Sequence, residues 1–233
     1  MSYAVATIGY KSVSNILRAV EEAYASSLAP DEFVVVINPY RDDNVGRMLE
    51  YVRNEERITR WALLSQNIGC AKAFNMGFSM CESDYVVALS DDCSVGPETY
   101  EGMISGFDAE DVGIVGVVGG GREGDAVTTA QGFLLTYRRD MVREIGGYDE
   151  IASPLADERE FGLRAAANGW KTNIVGGLPF HHIHDISNNP MDNINYMGED
   201  MSPKGVNPFQ HVTQEQLDYK SHLHNEAIRN KSD

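Results

Sequence analysis

The feature that most constrains this chain is the alternation of short apolar runs with amphipathic segments between residues 3 and 89. Tyr3–Ile8, Glu32–Ile37, Trp61–Leu64 and Asp84–Leu89 read as strands, nearly unbroken in apolar character, as expected of strands covered on both faces. Between them, Ile16, Leu17, Val20 and Tyr24 follow helical spacing behind a Ser14 cap. Val45, Met48, Leu49 and Val52 do so within Asp43–Val52, and Gly69–Met80 forms a third helix. Strands separated by helices imply right-handed crossovers, hence an α/β fold with a mainly parallel, Rossmann-like central sheet flanked by helices. Ligands of such sheets gather at the carboxyl ends of the strands. The polar residues that close each run are therefore the ones to inspect: Gly9-Tyr10-Lys11, Asn38, Ser65-Gln66-Asn67 and Ser90-Asp91-Asp92.

The second half is less regular. Helices are expected at Glu98–Phe107, Arg139–Ile145 and Asp157–Ala167, and strands at Gly113–Val118, Gln131–Tyr137 and Lys171–Val175. Gly119-Gly120-Gly121 lacks the G-x-G-x-x-G spacing and a following helix, so it reads as a flexible loop rather than a dinucleotide site. Beyond His184 the chain turns polar and Asn-rich until Thr213-Gln214-Glu215-Gln216, a capping box for a last helix over Gln214–Ile228. That helix either closes over the site or pairs with a second copy in a homo-oligomer.

At 233 residues the chain suits one domain with an extension. Its 35 acidic against 19 basic residues give a formal charge of −16. Such a surface repels phosphate backbones, which argues against a nucleic-acid partner. A phosphorylated ligand would need backbone N–H groups, a local Lys or Arg, or a metal ion to overcome that field. Cys70, Cys81 and Cys93 are odd in number and show no CxxC spacing, which favours a reducing compartment and hence the cytoplasm. No run approaches the roughly 20 apolar residues of a membrane span, and the N-terminus carries no signal-peptide pattern.

Asp91 and Asp92 directly follow the fourth apolar run. Adjacent carboxylates repel unless a cation neutralises them. Mg²⁺ or Mn²⁺, which prefer oxygen ligands and complete their shells with water and phosphate, would serve; a solvated turn or helix cap is the other reading. Upstream, Asn67-Ile68-Gly69-Cys70-Ala71-Lys72-Ala73-Phe74-Asn75-Met76-Gly77 offers two amides, a glycine for close backbone approach and a lysine. Downstream lie Gly146-Gly147-Tyr148-Asp149-Glu150, then Asp157-Glu158-Arg159-Glu160-Phe161-Gly162-Leu163-Arg164, and finally His181-His182-Ile183-His184.

In this order the stretches resemble glycosyltransferase family 2, the GT-A-fold transferases that use nucleotide sugars. The resemblance runs from Tyr3 to His184 and implies a GT-A domain over residues 1–184. Residues 185–233 would be a C-terminal extension, a loop plus helix, packed on or near the active site. It implies an inverting transfer from a nucleoside-diphosphate sugar to a hydroxyl acceptor, a glycan or glycoconjugate, assisted by Mn²⁺ or Mg²⁺. By correspondence Asp92 is the metal ligand, with His182 or His184 completing the site, and Ser90 replaces the first acid of the family's Asp-x-Asp. Glu158 is the general base, with Asp157 an alternative or a neighbour that tunes it. The donor is met by Thr7, Tyr10, Asn67, Gly69, Lys72, Asn75 and Asp91, while Asn38 stands where the family has a base-recognising Asp. Two other readings stay open. One is a non-catalytic nucleotide-sugar or carbohydrate-binding module; the other is a nucleotidyltransferase, although its Gly-rich basic loop is missing.

Overall fold

The computed structural model describes residues 1–10, 12–39, 42–123, 126–150 and 157–182. In chain order the elements are β1 (Tyr3–Gly9), α1 (Val13–Tyr24), β2 (Glu32–Ile37), α2 (Asp42–Asn54), β3 (Arg60–Leu63), α3 (Cys70–Met80), β4 (Tyr85–Leu89), β5 (Cys93–Val95) and α4 (Thr99–Ser105). There follow β6 (Val112–Gly116), β7 (Gly119–Glu123), β8 (Ala126–Ala130), β9 (Leu134–Arg138), α5 (Arg139–Ile145), α6 (Asp157–Ala167), β10 (Lys171–Ile174) and β11 (Phe180–His182). His184, the extension over 185–233 and its expected helix lie outside the described residues.

Seven strands form one sheet in the order β10-β6-β9-β4-β1-β2-β3. All pairings are parallel except those of β9, which runs antiparallel between β4 and β6. The mainly parallel α/β sheet expected from the alternation is present. Period-two alternation with helices on both faces explains why β1, β2 and β4 look uniformly apolar, while the edge strands β3 and β10 are half-buried. Tyr3 and Val5 of β1 join Phe33, Val35, Ile37, Val87 and Leu89 beneath α1, α2 and α4. Ala4, Ala6 and Ile8 join Val34, Val36, Val86 and Ala88 beneath α3, α5 and α6. Both faces are buried, so neither can be polar.

Helix α1 begins two residues earlier than the Ser14 cap implies. Ser12 is the N-cap: its backbone is extended (φ −141°, ψ 130°) and its Oγ accepts from the Ser14 amide at 3.2 Å. Gly119–Gly121, expected as a loop, enters the strand β7 and pairs with β8 in a separate hairpin. A second small antiparallel pair joins β5 to β11, setting His182 opposite Cys93. The close approach there needs Gly96, whose Cβ would fall 2.6 Å from Pro179 Cγ. Among the described residues no helix is long and apolar enough to cross a membrane.

The chain winds outward from β1 through β2 to β3, then crosses to β4 on the other side of β1. That reversal of winding at the β1–β4 pair opens a crevice at their carboxyl ends, where an α/β sheet holds its ligand. The ends of β1, β2 and β4 are Gly9, Ile37 and Leu89. Tyr10, Asn38 and Ser90–Asp92 therefore emerge side by side.

Candidate active site

The acidic turn follows β4 directly. The Ser90 amide donates to the Phe133 carbonyl at 2.9 Å, and the Cys93 amide closes the turn on Ser90 O at 3.0 Å. Ser90 Oγ donates to Asp92 Oδ1 at 2.5 Å. The β5–β11 pair then delivers His182, whose Nε2 lies 3.3 Å from the same Asp92 oxygen. Burial pushes the Asp92 carboxyl up, but the hydrogen bonds from His182 and Ser90 outweigh it and hold it below the usual aspartate range. Its side chain keeps 42% exposure, so it remains open to a ligand. The serine in place of a first acid thus removes a charge and supplies a donor that orients the remaining carboxylate.

Glu158 approaches from the other side. It is the second residue of α6, and a Cβ on Gly132 would lie 3.2 Å from its Cδ and 3.3 Å from Oε2. Its carboxyl group therefore lies over Gly132. The next residue, Phe133, supplies the carbonyl that holds Ser90, and its ring stacks on His182 with centroids 4.4 Å apart and planes 21° from parallel. One short stretch, Gly132-Phe133, thereby joins the Glu158 side of the crevice to the Asp92–His182 side. The side chain of Asp157 lies outside the described residues, although its backbone opens α6.

The pitch of α6 is fixed by Arg164. Its guanidinium pairs with Glu160 at 2.8 Å and donates to the carbonyls of Ile145 at 2.5 Å and Gly147 at 2.7 Å. The same turn is fastened to α3 by Asn75, which donates to Tyr148 O and accepts from Tyr148 N, both at 2.8 Å. A side chain at Gly147 would collide with Asn75 Oδ1. The order runs Asn75, Gly-Gly-Tyr turn, Arg164, α6, Glu158. Asn75, expected among the donor contacts, has its amide engaged in this brace.

The other amides behave similarly. Asn38 is 3% exposed. Its Nδ2 donates to Asn67 Oδ1 at 3.1 Å and Gly69 O at 3.3 Å, and its Oδ1 accepts from the Ile68 amide at 3.0 Å. Asn67 Oδ1 also accepts from the Gly69 amide at 2.8 Å. An aspartate at position 38 could make only the last of Asn38's three bonds, since a carboxylate has no N–H to give. Gly69 sits at φ 88°, which favours glycine, and precedes α3 without a side-chain cap. Thr7 is buried with its hydroxyl on Leu89 O at 2.9 Å, tying β1 to β4. Tyr10 is half-buried beyond β1, and Lys72 is exposed on the first turn of α3.

Among the described residues no group of three or more His, Cys, Asp and Glu gathers around a common point. Asp92 with His182 fits a hard divalent ion that takes its remaining ligands from water and a diphosphate, and does not fit a cage built wholly from protein. His184 lies outside the described residues. Little in the residue pattern points to Gly132 and Phe133. They form the turn just before β9, inside the span the pattern reads as strand, and only the fold sets them against Glu158 and His182.

The sequence model of the family described as Glycosyl transferase family 2 matches residues 5–156. No curated protein matches the chain. Among solved structures it is similar to a mannosyltransferase from Pyrobaculum calidifontis, PcManGT, in complex with GDP-Man and Mn²⁺ (TM-score 0.69, 15% identity, 99% of this chain and 74% of that one). It is also similar to TarS of S. aureus (TM-score 0.60, 18% identity, 86% and 39%). A third is GalNAc-T7 with UDP, GalNAc and Mn²⁺ (TM-score 0.66, 12% identity, 79% and 44%). The chain thus spans less than half the length of the last two. At these identities the likeness is one of fold.

Proposed function

The chain belongs to glycosyl transferase family 2, and from that premise we propose that it moves a sugar, with inversion, from a nucleoside-diphosphate sugar to a hydroxyl acceptor. One observation carries the reading. The Gly132-Phe133 stretch brings the Glu158 carboxylate and the Asp92–His182 pair to one crevice at the carboxyl ends of β1 and β4. That is the place and pairing such a transfer needs: a base for the acceptor and an anchor for the leaving group.

In this reading Asp92 and His182 would hold a divalent cation, with the donor diphosphate supplying further oxygens. When bound, the cation supplies charge neutralisation to the departing nucleotide. Ser90 holds the Asp92 carboxylate in one orientation. Lys72, exposed on the first turn of α3, meets the diphosphate against an otherwise acidic chain. Asn38 and Asn67 hold the loop that enters α3, so their part is to shape the donor site rather than read the base. Glu158 accepts the acceptor proton as the hydroxyl attacks the anomeric carbon from the face opposite the nucleotide. The nucleotide and Mn²⁺ bound by PcManGT and GalNAc-T7 support both the donor class and the cation.

The test is calorimetric titration of the full chain with UDP, GDP and CDP, each with and without Mn²⁺. Binding of one nucleotide that requires Mn²⁺ is the expected result and identifies the donor class. Folded protein that binds none of them would overturn the transferase reading.

A further inference from the structure

The acidic turn is gripped by a helix the proposed chemistry does not use. Asn15, Arg18 and Glu22 stand three and four residues apart on α1, on one stripe of its surface. Arg18 Nη2 donates to the Asp91 carbonyl at 2.5 Å, and Asn15 Nδ2 lies 3.5 Å from Asp91 Oδ2. One turn further, Glu22 Oε1 accepts from Ser94 Oγ at 2.5 Å and Oε2 from the Val95 amide at 3.0 Å. Arg18 Nε is 3.9 Å from Glu22 Oε1, so the two clamps are themselves an ion pair. The stripe thus holds the chain on both sides of Asp92.

We propose that Arg18 is a positioning residue that presents Asp92 to the cation and diphosphate; the proposal rests on the reading of the site given above. The peptide unit is planar, so fixing the Asp91 carbonyl fixes the plane that also carries the Asp92 amide. That plane also places the Asp92 Cα, the root from which the side chain leaves the backbone. Ser90 and His182 then act on the end of the side chain, while Arg18 acts on its root. Arg18 is suited to the task because its planar guanidinium can serve Asp91 and Glu22 at once, which an ammonium cannot.

The experiment uses the full chain and three variants: Arg18→Met, Arg18→Lys, and Arg60→Met as a control. Arg60 forms an equally enclosed clamp, with Glu32 and the Met80 carbonyl, at the opposite end of the sheet. Mn²⁺ is titrated in the presence of UDP or GDP and free Mn²⁺ is followed by electron paramagnetic resonance. Thermal unfolding and amide hydrogen exchange are recorded on the same samples. Arg18→Met should weaken Mn²⁺ binding about tenfold, a typical effect of losing a group that orients a metal ligand. Arg18→Lys should recover part of this. Arg60→Met should lower the melting temperature with Mn²⁺ affinity within twofold of wild type. Equal Mn²⁺ affinity in wild type and Arg18→Met, or an equal loss in Arg60→Met, would overturn the proposal. Wild type that takes up no Mn²⁺ with either nucleotide defeats the metal reading instead. The positioning role is then decided by exchange over residues 91–95: several-fold faster exchange in Arg18→Met keeps it, and unchanged exchange overturns it.

Discussion

The two ends of the central sheet are built from similar residues and do different things with them. At the amino ends of the strands, the Glu32 carboxylate accepts from Glu82 N at 3.0 Å, Ser83 N at 2.6 Å, Ser83 Oγ and Arg60. Asp84 accepts from both the amide and hydroxyl of Ser2, at 3.0 and 3.1 Å. Arg138 donates to Val112 O and lies over the rings of Tyr85 and Phe107. Each charge there is answered from within the fold. At the carboxyl ends the answer is partial. Asn38, Asn67, Asn75 and Thr7 are tied to backbone or to one another, yet Asp92 keeps an exposed carboxylate and Lys72 faces solvent. One end completes the fold, and the other leaves charge for a ligand to complete.

The sharpest way to break this comparison is to neutralise a charge at the open end and ask whether chemistry or stability suffers. Glu158→Gln should lower transfer roughly 10²- to 10⁴-fold, the range for loss of a general base. Nucleotide binding should hold within about twofold, because the carboxylate faces the acceptor in this reading. Transfer assays beside calorimetry check it; retained turnover would remove Glu158 from the role of base.

Next in size, Asp92→Asn should weaken Mn²⁺-dependent nucleotide binding by roughly 10- to 100-fold, at least the effect of disturbing a ligand's outer partners. Metal-free binding should change little. Loss of both in equal measure would mean that Asp92 shapes the nucleotide pocket and does not hold the cation.

How far these residues were legible differs between the two kinds of element. The strands and helices through β4 follow from alternation, and for β1, β2 and β4 burial on both faces leaves no other pattern; β3, at the sheet edge, is half-buried. Asp92 and Glu158, proposed here as cation ligand and base, stand out in the sequence through the motifs that carry them. The direction of the amides was not: Asn38 and Asn75 look like ligand contacts in sequence, and only distant partners such as Gly69 and Tyr148 engage them. The β5–β11 pair was equally hidden, since strands of three residues carry no period. Gly119–Gly121 reads as a loop by composition, yet pairing with β8 draws it into a strand, a tertiary effect that overrides local preference.

A smaller perturbation of the open end is Gly132→Ala. The added methyl would stand 3.2 Å from Glu158 Cδ, close enough that the carboxylate must shift by a few tenths of an ångström. The carboxylate is the mobile end of its side chain, so stability should be nearly unchanged. Turnover should fall roughly tenfold, since small misplacements of a reacting group are costly in rate. The donor's KM should hold. Unaltered kcat would show that Glu158 is not held to one geometry through Gly132.

The smallest effect on function belongs to the closed end, and there the reading is a pH profile. Burial pushes the Glu32 carboxyl up, but its hydrogen bonds from Ser83, Glu82 and Arg60 outweigh this and leave it below the usual glutamate range. A carboxyl depressed on folding stabilises the native state above its unfolded value, about 4.3. That contribution disappears as pH falls from there through the lower folded value. Glu32→Gln should therefore destabilise the protein at pH 7 by about 2 kcal/mol, since its amide sets N–H groups against other donors. The gap from wild type should close as pH drops below about 4. Transfer measured at 25 °C should be unchanged, because no group of the crevice touches Glu32. Parallel acid-unfolding curves for the two proteins would show that Glu32 is not held ionised by its partners, and a loss of turnover would mean that the two ends of the sheet are coupled rather than separate.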